Sequence, residues 1–248
     1  MTNPFERHGL DHLSPSSINI FADEPAFWAY KYLLGREDKA GPAAWRGNAV
    51  EAGLDHWLYK RDEGAAEKAA IERFESDAMG ELSDAIDKER NRILPMLWLA
   101  TKNVWDGDPP TGRQFVAEHW FDDIEVPFVL KPDYEWPDKG LDLKTVSRMP
   151  SEIPPRHARQ ISLYQTARQR PYYLLYVTEK KAELKQLTAE ETRRSIMQLQ
   201  WYAHTIRRGL STFSDKMELA RTFKPNLDSF YWKNPDTLAQ AMEIWNER

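Results

Sequence analysis

Asp133, Asp142 and Lys144 fall in one stretch, Val129–Lys144, VLKPDYEWPDKGLDLK. Two carboxylates held close together in a poorly solvated place cannot both stay ionised without a counter-charge. A proton, a lysine or a divalent cation can supply it. Oxygen-only donor sets suit magnesium or manganese, which keep several waters and take one or two carboxylates plus a substrate phosphate. Such an ion polarises a phosphate and activates water. A lysine beside it can orient the water, take its proton, or offset charge on the phosphate. The bare pattern [DE]-x-K is weak. It occurs four times, at Glu37, Asp142, Glu179 and Glu183, and only the copy at Asp142 lies in an apolar strand preceded by Pro132-Asp133. A plain Asp142–Lys144 salt bridge on a strand face is the alternative.

The elements that must position these groups are two strands and a turn. Val126, Phe128, Val129 and Leu130 form an apolar run ending at Pro132-Asp133, and Trp136–Gly140 is rich in turn formers. Leu141–Val146 is the second strand. Alternation puts Asp142 and Lys144 on one face and Leu141, Leu143 and Thr145 on the other. Antiparallel pairing of the two strands sets Asp133 beside Asp142.

The 248 residues suit one large domain, with ten Trp, ten Tyr and ten Phe for a core. The absence of cysteine excludes disulfides, thiolate zinc sites and a cysteine-held iron–sulfur cluster, and fits a cytoplasmic protein. No apolar run is long enough to span a bilayer, and MTNPFERHGL does not read as a signal peptide. With a net charge of −5, nucleic-acid binding has to come from a local patch.

Such a patch follows Lys144. Arg148, Arg156, Arg159, Arg168 and Arg170 stand against one acid, Glu152, with His157 among them. Arginines here can hold phosphates; a solvated helix face is the alternative. Pro154-Pro155 opens a helix to about Arg168, on which Gln160 and Tyr164 share a face.

Elsewhere, a serine of Leu13–Ser17 caps a helix that Pro25 breaks in two. The aromatics of Ala26–Leu34 read mainly as core, with one or two available as a base-stacking platform. After Gly41-Pro42 a helix runs to Lys60 and aligns Gly47, Glu51 and Asp55; Glu51 by itself reads as a solvated carboxylate. Residues 62–103 form a helical lobe of one or two helices, with Pro95 kinking or restarting the second. Asp106–Gly112 is a loop. Gln114–Phe121 is the first strand, and its Glu118 is either a further ligand or a solvated edge residue. Tyr172–Thr178 is a buried strand, and Ala182–Leu187 an edge strand guarded by Lys181 and Lys185. Thr188 and Glu191 start a long helix to about Leu210, and a final helix covers about Asp236–Asn246.

Taken together, Pro132-Asp133 … Asp142-Leu143-Lys144 resembles the PD-(D/E)XK nuclease motif. Gln160-Ile161-Ser162-Leu163-Tyr164 resembles the QxxxY motif of its RecB-like branch. Leu13–Ser17, Arg46-Gly47 and Asp142–Thr145 are similar to that branch too. The resemblance covers roughly residues 13–187. It implies an α/β restriction-endonuclease-like core: a mixed sheet of about five strands flanked by helices, with 62–103 as a helical insertion, 114–187 as the catalytic sheet core and 188–248 as C-terminal helices of one nuclease domain. It also implies Asp133, Asp142 and the Leu143 carbonyl as ligands of Mg2+ or Mn2+, Lys144 as the catalytic lysine, and Gln160 and Tyr164 as supports of the site or DNA contacts. Many relatives place a metal-binding histidine where this chain has Glu51, which keeps an oxygen ligand. Leu130 stands where a glycine is usual, and Glu24-Pro25 where some relatives have the Cys-Pro of an iron–sulfur site. No helicase motif accompanies the nuclease motifs, and a stand-alone form resembles phage recombination exonucleases and the mitochondrial single-strand exonuclease.

The expected function is metal-dependent exonuclease action on DNA that is single-stranded or has free ends, in recombination, repair or phage DNA processing. Arg148, Arg156, Arg159 and Tyr164 would contact the DNA. Recombination or replication proteins are the expected partners, and the host cytoplasm is the expected compartment for a phage protein. The alternatives are a structure-specific endonuclease with the same chemistry and a non-catalytic DNA-binding module.

Overall fold

Serine and proline chemistry at the N-terminal end sets the first helices. The computed structural model describes residues 3–105 and 107–245, so Asp106 and Asn246 of the expected loop and last helix lie outside the described residues. A one-turn α1 (Pro4–Arg7) precedes α2 (Pro15–Asp23). The Ser14 hydroxyl accepts from the Ser17 amide at 3.1 Å, and the Ser17 hydroxyl accepts from the Ser14 amide at 3.0 Å. This capping box satisfies two amides that a helix start would leave open. Pro25 begins α3 (Pro25–Trp28), which runs on as a π-helical turn to Leu33.

The long helix α4 (Pro42–Lys60) buries Val50, Leu54 and Leu58. The charged stretch after it holds three helices, not one or two: α5 (Glu63–Ala78), α6 (Asp84–Arg90) and α7 (Ile93–Asn103). Ser83 caps α6 and separates it from its neighbours. Pro95 sits in the first turn of α7, where its missing N–H has no helical partner to lose.

Five strands make a mixed sheet, in the order β1 (Gly112–Arg113), β4 (Tyr134–Glu135), β5 (Gly140–Thr145), β6 (Tyr172–Val177), β7 (Ala182–Lys185). In this sheet, among the described residues, β5 and β6 are the parallel pair, as a crossover through α8 (Pro155–Arg168) demands. β7 is the expected edge strand. The remaining strands, β2 (Ala117–His119) and β3 (Phe128–Leu130), pair with each other in a separate two-stranded sheet, and Leu13 bridges to Phe128.

This pairing corrects the expected hairpin. The apolar run ending at Leu130 joins β2, not the strand of Asp142. Pro132 supplies no N–H and ends that ladder. The partner of β5 is the two-residue β4, which aligns Tyr134 with Leu141 and Glu135 with Gly140. The strand expected over Gln114–Phe121 shrinks to Ala117–His119, and the first strand of the main sheet is Gly112–Arg113.

Alternation along β5 and β6 divides the core. Leu141, Leu143, Leu175 and Val177 pack with α4, α5 and α7, while Tyr172, Leu174 and Tyr176 join α8 and α9 (Ala189–Thr212). Two glycines allow close approach. A Cβ on Gly140 would lie inside the Tyr172 ring, and one on Gly47 would come to 3.3 Å from Thr145 Oγ1. The chain closes with α10 (Lys216–Thr222) and α11 (Pro235–Trp245). Between them, Trp232 is buried against Phe27 and Tyr30.

Candidate active site

The short reach of β4 leaves one edge of β5 open beyond Leu141. Side chains fill the vacated ladder positions. Leu143 N–H donates to Asp133 Oδ2 at 2.8 Å, and Arg46 donates to the Thr145 carbonyl at 3.2 Å. The Leu143 carbonyl leaves the strand on that same side, because the N–H and C=O of one residue point together. Extending the β4–β5 register by one residue sets Asp133 opposite Asp142, as the sequence led us to expect, although through β4.

Asp142 is fully buried, in the sheet face toward α8. Gln160 Nε2 donates to its Oδ1 at 3.2 Å and to the Tyr164 hydroxyl at 2.8 Å. The Tyr164 hydroxyl in turn donates to the Lys131 carbonyl at 3.2 Å. Helical spacing on α8 aligns Gln160 with Tyr164, and the pair ties Asp142 to the backbone just before Asp133. Lys144 Nζ lies 2.5 Å from Asp142 Oδ2, yet that oxygen takes part in no aligned hydrogen bond. It is a buried acceptor with capacity to spare.

Glu51 reaches the site from α4. Along that helix Gly47 touches Thr145, Glu51 accepts from the Gln114 amide group, and Asp55 pairs with Arg113. Arg113 ends β1 and Gln114 follows it, so consecutive residues hold carboxylates one helical turn apart. Gln114 has φ of +42°, and its own N–H donates to the Asp133 carbonyl at 3.1 Å. It therefore ties Glu51 to the backbone of Asp133. In a single sequence Gln114 and Arg113 carry no signal, since their place depends on β1 pairing with β4.

These groups act on one another's protonation. Burial, then Asp142 and Glu51, push the Asp133 carboxyl well above its ordinary range, against the pull of Lys144. Burial raises Glu51, with Asp55 and Asp142 adding to it and Gln114 and Lys144 opposing. Asp142 is raised by burial against the stabilising effect of Lys144. Burial disfavours the Lys144 ammonium, but Asp142 and Asp133 outweigh it and hold Lys144 above its ordinary value. Three carboxylates thus share one lysine.

A hard cation suits this donor set: the donors are all oxygens, three carboxylates face one lysine, and Asp142 Oδ2 is a buried acceptor with no aligned hydrogen bond. The set is not drawn together in advance. Among the described residues no three His, Asp or Glu side chains are gathered closely enough to hold an ion. Glu118 stands exposed on β2, opposite Val129 in the separate two-stranded sheet.

The arginines divide into two sets. Arg159 is buried, donates to Asn19 at 2.7 Å and lies over the Tyr202 ring. Arg168 clasps Glu135 through two bonds of 2.9 and 2.8 Å, and Arg170 lies 3.1 Å from the same carboxylate. Burial works against the charge of Glu135, but its bonds from Arg168 and Tyr172 hold it below the usual range. Arg148 and Arg156 are exposed. They line a cavity of about 340 Å³ with Arg46, Thr145 and His157 at the end of β5. His157 bonds the Tyr176 hydroxyl at 2.7 Å; burial, with Lys144 and Arg156 nearby, pushes its pKa down to about 3, so the ring stays neutral.

No protein-family model matches the chain, and no curated protein matches it either. Among the described residues no helix is long and apolar enough to cross a membrane.

Proposed function

We propose that this chain is a magnesium- or manganese-dependent deoxyribonuclease with a restriction-endonuclease-like core. It acts as an exonuclease on DNA that is single-stranded or has free ends, in recombination, repair or phage DNA processing. The observation that carries the reading is Lys144 paired with the buried Asp142 on β5, with Asp133 on the Leu143 amide at the open edge of that strand, beside a cavity lined by exposed arginines.

Asp133, Asp142, Glu51 and the Leu143 carbonyl would hold the ion. When bound, it supplies Lewis-acid polarisation of the phosphate and a lower pKa for water. The remaining work belongs to side chains. Lys144, kept charged by its acidic neighbours, donates to the non-bridging phosphate oxygen and offsets the charge that grows there. Gln160 and Tyr164 fix the Asp142 carboxylate. Arg148 and Arg156 bind phosphates flanking the scissile one. Water adds to phosphorus as the bond to the leaving ester oxygen breaks; one of the water's two protons ends, by way of solvent, on the leaving oxygen, and the other stays with the new phosphate oxygen or passes to solvent.

End-labelled single- and double-stranded DNA, incubated with magnesium, manganese or chelator, tests this reading. A circular single strand separates exonuclease from endonuclease, since only the latter needs no end. The rival of a different class is a DNA-binding module without catalysis. Calorimetric titration with magnesium that gave no heat would support the rival.

A further inference from the structure

Beyond the arginine-lined cavity lies a second, larger one of about 620 Å³. Its walls include Trp45, Phe230, Tyr231, Lys39 and Lys233. Phe230 is 61% exposed, unusual for a phenylalanine, and its ring lies 4.0 Å from that of Tyr231 at 33°. Phe27 backs Tyr231 at 4.9 Å, so the one ring of Ala26–Leu34 that lines this groove supports its aromatic surface from behind and is itself buried.

The two cavities are lined by neighbouring residues of α4. Arg46 lines the first and the adjacent Trp45 lines the second. Asn19 on α2 donates to the Arg156 carbonyl at 2.9 Å, and Asp23, one turn further along α2, accepts from the Tyr231 hydroxyl at 3.1 Å. Helix α2 thus contacts both Arg156 of the first cavity and Tyr231 of the second.

Flat rings on a floor with cations at the rim match one ligand chemistry, a single nucleic-acid strand. Its bases have π-faces and its phosphates need positive charge, and stacking of this kind tolerates any sequence. The acids at the rim do not outnumber the cations: Asp38 is paired with Lys31 at 3.2 Å, which leaves Glu81 and the Tyr231-bound Asp23 against Lys39, Lys233 and Arg156, whose charge reaches Tyr231 from the first cavity. A duplex keeps its bases stacked inside and could not use the rings.

We infer that the groove of Trp45, Phe230 and Tyr231 is a stacking track for the single strand several nucleotides from the scissile phosphate. The inference rests on the nuclease reading and deepens it.

The test is fluorescence anisotropy in chelator, with labelled oligothymidylates of about 4 and about 16 nucleotides. Phe230 is exposed, so Phe230→Ala should fold normally. The variant is expected to bind the longer oligonucleotide about tenfold more weakly and the shorter one as the unaltered chain does. Equal loss for both lengths, or no loss for either, overturns the track. Loss of self-association in the variant, by sedimentation, with DNA affinity unchanged would give the groove to a second copy of the chain and also overturns it. If the unaltered chain binds neither oligonucleotide, the nuclease reading falls as well. If it binds and cleaves DNA while Phe230→Ala behaves identically, only the track falls.

Discussion

The Lys144 ammonium sits 2.5 Å from the Asp142 carboxylate, two residues back on the same strand. Strand alternation puts both on the face toward α8, and Asp133, the residue before β4, joins them through the Leu143 amide. One cation facing several buried acids is an unbalanced arrangement, with consequences for pH dependence.

The first prediction concerns pH. Asp133 and Asp142 have folded pKa values raised above the ordinary carboxylate range. The folded state therefore holds protons that the unfolded state has lost, and stability falls as pH rises. The fall begins near the unfolded pKa of about 4 and ends once the raised folded values are passed. Thermal melts in chelator should show this decline. Asp133→Asn, whose amide oxygen can still accept from Leu143 N–H, should remove much of it and raise Tm at neutral pH by about 2–4 °C. Magnesium should stabilise the unaltered chain and do little for the variant. A variant melting below the original at neutral pH would contradict the assigned repulsion.

The second concerns Gln114. It holds Glu51 through its side chain and Asp133 through its backbone. Gln114→Ala should weaken magnesium binding by about tenfold, consistent with loss of a partner that orients a ligand, and leave the far-ultraviolet spectrum unchanged. Calorimetry checks it. Unaltered magnesium affinity would mean that Glu51 needs no support from β1.

How much of this the sequence revealed follows from what each contact depends on. Asp142, Lys144, Gln160 and Tyr164 were legible because strand and helix periods alone place them, two residues apart on β5 and four apart on α8. The buried β6, the edge strand β7 and the Thr188–Glu191 capping box were legible for the same reason. The hairpin was misread because two apolar runs flanking a turn look like partners, whereas Pro132 passes the pairing to Tyr134-Glu135. Gln114, Arg113 and the binding of Arg168 to Glu135 were hidden. Each depends on which strands become neighbours, and nothing local records that.

The third prediction separates folding from chemistry. Glu135 is buried and is served by Arg168, Arg170 and Tyr172. Arg168→Ala removes two charge-assisted bonds and should cost about 2–3 kcal/mol of stability. Magnesium affinity should not change, because these groups hold β4 to α8 at the end of the sheet away from Lys144. Urea denaturation beside calorimetry gives both numbers. A matching loss of magnesium affinity would place Glu135 within the site.

The fourth concerns the packing of α4 on β5. Gly47→Ala brings a methyl to 3.3 Å from Thr145 Oγ1, and the helix gain of about 1 kcal/mol over glycine should offset the crowding. Gly47→Val has no such room and should destabilise by about 1–3 kcal/mol, carrying Glu51 away from Asp133. Equal stability of the two variants in urea would show that the contact is slack.

The central claim is that Lys144 acts on a phosphate beside an ion held by acids, and Lys144→Ala tests it most directly. With end-labelled single-stranded DNA and magnesium or manganese, the unaltered chain should shorten the strand and chelator should stop it. Lys144→Ala should leave the strand intact while binding it with nearly unchanged affinity. Cleavage by the variant at the original rate, or none by the unaltered chain with either metal, would contradict the account.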